Sequence, residues 1–339
     1  MAIRPLHRRR LLRFLLLPLI VVGVTVASAL SASAHPRLSA HPTLRFAQVV
    51  SFSEPLQNPE SIALDRRGNM YLSMPNLGQV LEITPDGTQS IFATFPAGMR
   101  PLGVRLDRAG NVYVAVVGSG VWRIPAGGGA AAEFAPIPGF PNGLAFDRHG
   151  NLYVSESVGG VIYRVTPAGA VATWSSSPLL LGTLGNGPCG LPHPSGLALG
   201  ANGLVFDQHG DNLFVSNTTL GEIIRIPVKH HGAAGNAVIE AGPDCQLWGA
   251  DGAAMDQRGH LYVAANAERN IVRVDRGGNF HVIASSAAGA PLFSPSDIAF
   301  GTSRKDRDQI FITNLALFTN GVGAGVVTTD VGVPGLRLP

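Results

Sequence analysis

The sequence predicts an all-β fold, a six-bladed β-propeller whose blades are four-stranded and antiparallel. Three observations carry that expectation. Six stretches open alike, with a loop residue, a small or apolar run and then Asp or Gly at a tight turn: Glu60-SIALD, Leu102-GVRLD, Asn142-GLAFD, Asn202-GLVFD, Asp251-GAAMD and Ser296-DIAFG. The steps between these openers are 42, 40, 60, 49 and 45 residues, and a repeat of that length holding several short strands is the signature of a propeller blade. Behind the openers, apolar alternation and turn residues dominate, with no sustained helical spacing.

The third repeat shows the unit most clearly. Leu144-Ala145-Phe146 reads as a strand and Asp147–Asn151 as a turn of Asp, Gly and Asn. Leu152–Ser155 is the second strand, Val158-Gly159-Gly160 turns, Val161–Val165 is the third, and Thr166–Gly169 turns into Ala170–Trp174. The same pattern places blade one from Glu60 to Ala93, blade two from Leu102 to about Phe134, blade four from Asn202 to Ile239 and blade five from Asp251 to Ile283. Blade six has strands at Asp297–Phe300, Gln309–Thr313 and Val326–Thr329 but no fourth of its own. The apolar stretch Leu44–Val50 is expected to supply it, which would close the ring with an N-terminal strand and remove an open edge. The tail Val331–Pro339 is the competing donor.

Residues 1–34 read as an export signal and 35–339 as the propeller domain. Arg4, Arg8, Arg9, Arg10 and Arg13 lead into an apolar run from Phe14 to Leu30, and Ala32-Ser33-Ala34 fits a small-residue cleavage site. The arginine cluster also resembles a twin-arginine signal, and a retained membrane anchor is the alternative to cleavage. The expected location is therefore secreted or extracytoplasmic, or signal-anchored, with no membrane span once the leader is removed. The chain has 25 Lys+Arg against 22 Asp+Glu. The leader takes five Arg and no acid, which leaves 20 against 22, so the basic balance argues for no nucleic-acid partner. Two cysteines, Cys189 and Cys245, in an exported chain read as one disulfide tying the insert before blade four to the loop before blade five. Two free thiols are the other possibility.

In a propeller the innermost strands run along a central channel, so the six openers form a ring at one mouth. Glu60, Asn142, Asn202 and Asp251 then give an all-oxygen set, which suits Ca²⁺ better than Zn²⁺. The competing explanation is local: Asn142-Gly143, Asn202-Gly203 and Asp251-Gly252 are strong turn dipeptides. Glu60 has no such turn preference.

On Pro59-Glu60-Ser61, Pro141-Asn142-Gly143-Leu144, Gly200-Ala201-Asn202-Gly203-Leu204 and Ala250-Asp251-Gly252, the chain resembles the gluconolactonase/regucalcin (senescence marker protein) family over about residues 55–330. The resemblance implies one divalent cation, Ca²⁺ or Zn²⁺, held by Glu60, Asn142, Asn202 and Asp251. It also implies that Asp251 is the catalytic acid or base in lactone hydrolysis. One position departs. Where sugar lactonases of the family carry Arg two residues before the third-blade Asn, this chain has Phe140, which points from sugars toward a more apolar lactone or ester. Phe140 and His193 are the candidate substrate-binding residues. His193, in the insert before the fourth opener, is also an alternative base or simply a loop histidine. His149, His209 and His260 sit in the hairpin turns at the other end of their blades and are expected to be surface residues.

The leading expectation is a secreted, monomeric, divalent-metal-dependent hydrolase of small-molecule lactones or related esters. The alternatives are a non-enzymatic propeller that binds a protein, glycan or surface ligand, and a bond-forming or lyase enzyme on the same scaffold. No Gly-x-Ser-x-Gly elbow or His-Glu-x-x-His helix is present, which disfavours a serine hydrolase or zincin.

Overall fold

Four of the six repeat turns are built by the same hydrogen bonds, and these explain why the sequence doubles back where it does. In blade three Asp147 Oδ1 accepts from the backbone N–H of His149 and Asn151, and Asn151 Nδ2 donates to Asp147 Oδ2. Asp65 with Asn69 and Asp107 with Asn111 do the same, and in blade five His260 takes the Asn place against Asp256. The carboxylate satisfies turn N–H groups that the two flanking strands cannot reach.

The computed structural model describes residues 44–54 and 56–336. The expected leader and its cleavage site lie outside the described residues. Among the described residues, no helix is long and apolar enough to cross a membrane. Strand β1 is Phe46–Ser51; blade one is β2 (Ile62–Leu64), β3 (Met70–Met74), β4 (Gln79–Ile83) and β5 (Gln89–Thr94). Blade two is β6 (Pro101–Leu106) to β9 (Ala132–Pro136), with β7 at Val112–Val116 and β8 at Gly120–Ile124. Blade three holds β10 (Pro141–Phe146), β11 (Leu152–Glu156), β12 (Val161–Val165) and β13 (Val171–Ser175). In blade four these are β14 (Ala201–Phe206), β15 (Asn212–Asn217), β16 (Glu222–Pro227) and β17 (Val238–Ala241). Blade five follows with β18 (Ala250–Met255), β19 (Leu261–Ala265), β20 (Asn270–Val274) and β21 (Phe280–Ser285). Blade six contributes β22 (Pro295–Phe300), β23 (Gln309–Asn314) and β24 (Gly325–Asp330). These form six four-stranded antiparallel sheets, and β1 is the outermost strand of the sixth, paired to β24. The N-terminal strand thus closes the ring. The tail goes elsewhere: Gly335 bridges Asp256, and Leu336 N–H donates to the Met255 carbonyl.

Adjacent blades are glued by buried apolar layers. The repeated Tyr on the second strand packs edge-on against the Phe ending the next blade's inner strand, as in Tyr113–Phe146 (5.1 Å), Tyr153–Phe206 (4.9 Å) and Tyr262–Phe300 (5.5 Å). Such aromatic pairs contribute about 0.5–1.5 kcal/mol each beyond their area burial. The inner strands β2, β6, β10, β14, β18 and β22 touch in a closed cycle around the axis.

That cycle corrects the turn explanation of the Asn-Gly and Asp-Gly pairs. Asn142-Gly143, Asn202-Gly203 and Asp251-Gly252 lie inside strands β10, β14 and β18. A Cβ on Gly103, Gly143 or Gly203 would run into the backbone oxygen of the next blade's opener, Asn142, Asn202 or Asp251; one on Gly252 would strike the Asp297 carboxylate. These glycines are there because neighbouring strands approach too closely for any side chain.

Candidate functional site

The narrow mouth of the channel is lined by Glu60, Asn142, Asn202, Asp251 and Ser296, with Arg105 and Asp297 among the other wall residues. All four predicted oxygen donors therefore share one space, and all are buried. Leu102 does not line it; Gly103 and Arg105 of the same strand do. Phe140 is half-buried outside the lining, its N–H donating to Glu156 Oε1 at 2.8 Å.

A second ring, not anticipated from the sequence, orients the donors. Ser157, Thr218 and Asn266 each follow the second strand of blades three, four and five. Asn142 Nδ2 donates to Ser157 Oγ at 3.3 Å, and Asn202 Nδ2 donates to Thr218 Oγ1 at 3.0 Å. The two hydroxyls in turn donate to the carbonyls of Ala201 (2.6 Å) and Ala250 (2.9 Å) in the next blade. With its NH₂ engaged, each Asn has its carbonyl oxygen left for a ligand. In blade five Asn266 Nδ2 donates to Asp251 Oδ2 at 2.8 Å. The signal was in the repeats: these residues stand 15, 16 and 15 positions after their openers.

One layer deeper, Asp297 accepts from Ser61 Oγ (2.5 Å), Ile62 N–H (3.2 Å) and Arg105 Nη1 (3.0 Å). The Arg105–Asp297 ion pair links inner strands β6 and β22, on either side of blade one. Hydroxyls also fix the ring's backbone. Ser155 Oγ accepts from Gly143 N–H and donates to the Asn202 carbonyl, both at 2.7 Å. Thr313 Oγ1 likewise takes the Asp297 N–H (2.9 Å) and donates to the Glu60 carbonyl (3.2 Å).

The electrostatics are those of crowded acids without enough positive charge. Burial pushes the Glu60 carboxyl well above its ordinary range, and the Asp251 and Asp297 carboxylates push it further, against a smaller opposing pull from Arg105. Burial raises Asp251 to about 8, with the Asn266 hydrogen bond opposing and Asp297 adding. Glu60 Oε2 is buried without a hydrogen-bond partner. A hard divalent cation fits this set. It would take up the unpartnered oxygen, offset the repulsion and meet only oxygen donors. Among the described residues the other grouping of potential ligands, Cys189, Cys245 and Glu268, is no thiolate site, because the two cysteines form the expected disulfide with Cα atoms 4.8 Å apart.

That disulfide pins the insert that carries His193. The ring is buried, stacked edge-on to Trp248 at 5.7 Å, and Nδ1 faces Ser195 Oγ at 2.9 Å and accepts from the Ser195 N–H. Nε2 therefore carries the hydrogen in the neutral ring. It is buried and unpartnered, as is Asn266 Oδ1, and the two residues are near enough that Asn266 partly offsets the lowering of the His193 pKa by burial. His193 thus stands behind Asn266, one residue removed from Asp251, outside the channel lining.

Against known proteins, residues 195–316 match the model of the SMP-30/gluconolactonase/LRE-like region. A putative gluconolactonase structure superposes with TM-score 0.65 at 14% identity over 88% of this chain and 95% of that one. A calcium-binding protein, regucalcin, from Agrobacterium tumefaciens gives TM-score 0.62 at 18% identity, with 86% and 95% covered. The fold is a six-bladed propeller similar to those of the gluconolactonase and regucalcin structures, and the family model matches its second half. The same propeller is also similar to virginiamycin B lyase from Staphylococcus aureus, with TM-score 0.56 and 15% identity over 80% of this chain and 82% of that one. At these identities the likeness to solved structures is one of fold. No curated protein matches the sequence.

Proposed function

We propose that this propeller is an exported, divalent-cation-dependent hydrolase of lactones or related esters, working at the channel mouth as a monomer. The observation that carries the reading is the buried, unpartnered Glu60 Oε2 in the same polar mouth as Asp251 and two oriented amide carbonyls. Glu60, Asn142, Asn202 and Asp251 would hold the ion, and their hard oxygen chemistry favours Ca²⁺ over Zn²⁺. When bound, the cation would polarise a substrate carbonyl and stabilise the charge that develops on its oxygen. The chain's own contribution is orientation and proton transfer. Asp251, its Oδ2 held by Asn266, would take a proton from the attacking water. Ser157 and Thr218 engage the amide NH₂ groups and leave the amide oxygens for the ion, and the Arg105–Asp297 pair ties β6 to β22. Phe140 in place of an arginine leaves no cationic side chain there for sugar hydroxyls, in keeping with a less polar substrate.

The test is bound metal and turnover of a lactone and ester panel by wild type, Glu60→Gln and Asp251→Asn. The reading expects about one divalent ion per chain, lost in both variants together with hydrolysis. Wild type without ion, and variants equal to it in activity, would sink it. Bound ion with no turnover on any lactone or ester would instead identify a binding propeller.

A further inference from the structure

The surface around the mouth has a character that the oxygen ring does not explain. Among the described residues, twelve large apolar side chains are exposed, and three of them, Ile91, Val238 and Ile239, lie on the outermost strands β5 and β17. The other nine belong to segments at the mouth end, since the links into each inner strand and the turns between second and third strands share that end of an antiparallel blade. Five gather at the junction of blades three and four: Val158 in the β11–β12 turn, and Leu181, Leu184, Leu191 and Leu197 in the link that enters β14. Four gather at the junction of blades six and one: Leu56 before Glu60, and Leu317, Phe318 and Val322 between β23 and β24. Asn58 Nδ2 donates to the Leu315 carbonyl at 2.8 Å, joining those two segments into one surface.

In a closed ring of six blades, the three–four junction and the six–one junction stand opposite each other across the axis. The oxygen ring lies between them. The first bank is held rigidly by the Cys189–Cys245 bridge and by Asn217 Nδ2, which donates to the carbonyls of Leu179 (3.1 Å) and Leu181 (2.9 Å). In the second, Asn314 accepts from Phe293 N–H (3.0 Å) and donates to the Pro291 carbonyl (2.9 Å). Large apolar side chains held on ordered segments and exposed together mark a surface that meets an apolar partner. The charged residues on the mouth segments give no cationic excess: Arg100 and Arg269 stand against Glu54, Asp244 and Glu268. An anionic lipid surface is therefore not the favoured occupant.

We infer that the two banks bind the hydrocarbon part of the substrate, so that the substrate class is an alkyl- or acyl-chain lactone or ester whose carbonyl enters the oxygen ring. This rests on the hydrolase reading for the polar end only; the apolar contact is independent of turnover.

Two measurements separate the two ideas. The first is the affinity of non-hydrolysable γ-lactams bearing alkyl chains of increasing length, by calorimetry on the Ca²⁺-loaded protein. The second is kcat/KM for the matching lactones. Affinity is expected to rise about two- to fourfold per added methylene until the bank is covered. That slope should flatten in Leu184→Asn/Leu191→Asn and in Leu317→Asn/Phe318→Ser, and persist in the outer-strand control Ile91→Asn. A chain-length slope in lactam affinity without turnover of any lactone supports the apolar site while removing the hydrolase reading. Turnover or binding that ignores chain length overturns the inference. So does loss, in the bank variants alone, of neutral phosphatidylcholine vesicle binding or of self-association when the lactam slope is absent, because either assigns the banks to a lipid surface or a second copy.

Discussion

Replacing Asp251 by Asn should remove a pH dependence of stability that the ion-free wild type carries. Burial lifts the Asp251 carboxyl from its ordinary 3.8 to about 8. The folded chain therefore keeps a proton through a range in which the unfolded chain has lost it. A raised carboxyl pKa contributes stability that is full below about pH 4 and is lost progressively as pH rises toward 8. The slope for one retained proton is roughly 1.4 kcal/mol per pH unit. Across pH 5 to 8 that is about 4 kcal/mol, before water entering the site reduces it. For a domain of this size the loss amounts to a fall of roughly 5–10 °C in Tm. Glu60 shifts in the same direction and adds to the fall. His193, lowered by burial, runs the other way and gains stability as pH rises toward 6.5. It is common to both proteins and cancels in the comparison.

The assay is thermal unfolding in a chelator at half-unit steps from pH 5 to 8.5, for wild type and Asp251→Asn. Wild type should lose Tm with pH more steeply than the variant, and at pH 8 the variant should be the more stable of the two without ion. Saturating Ca²⁺ should flatten the wild-type curve, because the ion replaces the proton, and leave the variant nearly unmoved. Parallel curves in chelator would refute the claim that Asp251 is buried against its charged form. A variant stabilised by Ca²⁺ as strongly as wild type would refute its place among the ligands.

Asn266→Ala should lower Ca²⁺ affinity by about 10- to 100-fold in calorimetry, because it frees Asp251 Oδ2 from the group that orients it. Gly143→Ala should destabilise the fold by ~3 kcal/mol or more in denaturant unfolding, since its methyl would meet the Asn202 carbonyl rather than a side chain that can move; an unchanged midpoint would show that the inner strands are looser than described. Cys189→Ala/Cys245→Ala opens a loop spanning 56 residues and should cost about 2–4 kcal/mol, with limited proteolysis appearing first between residues 182 and 197.

Blade number, ring closure by the N-terminal strand, and the convergence of Glu60, Asn142, Asn202 and Asp251 at one mouth were legible because each depends on something repeated. The opener of an inner strand must reach the axis whatever its identity, so aligning the repeats lines up the ring before any fold is known. The donors' supports were legible by the same logic but need the second strand in register as well. Ser157, Thr218 and Asn266 look like ordinary turn residues until their place behind Asn142, Asn202 and Asp251 is known. The Arg105–Asp297 pair was out of reach. Its partners are 192 residues apart and occupy non-equivalent repeat positions, so only closing the ring brings them together.

The glycines show why a local rule failed where a global one held. Asn-Gly is a turn signal because Gly tolerates backbone that other residues avoid. Gly143, Gly203 and Gly252 are absent from the left-handed region and sit in strands. What they supply is the missing Cβ, which lets each inner strand lie against the backbone of the next. That close approach draws the openers inward, and it leaves Glu60 and Asp251 buried with too few donors to meet their charge. The dipeptide that argued against a site is thus part of what creates one, and the acid at its centre follows from packing the axis so tightly.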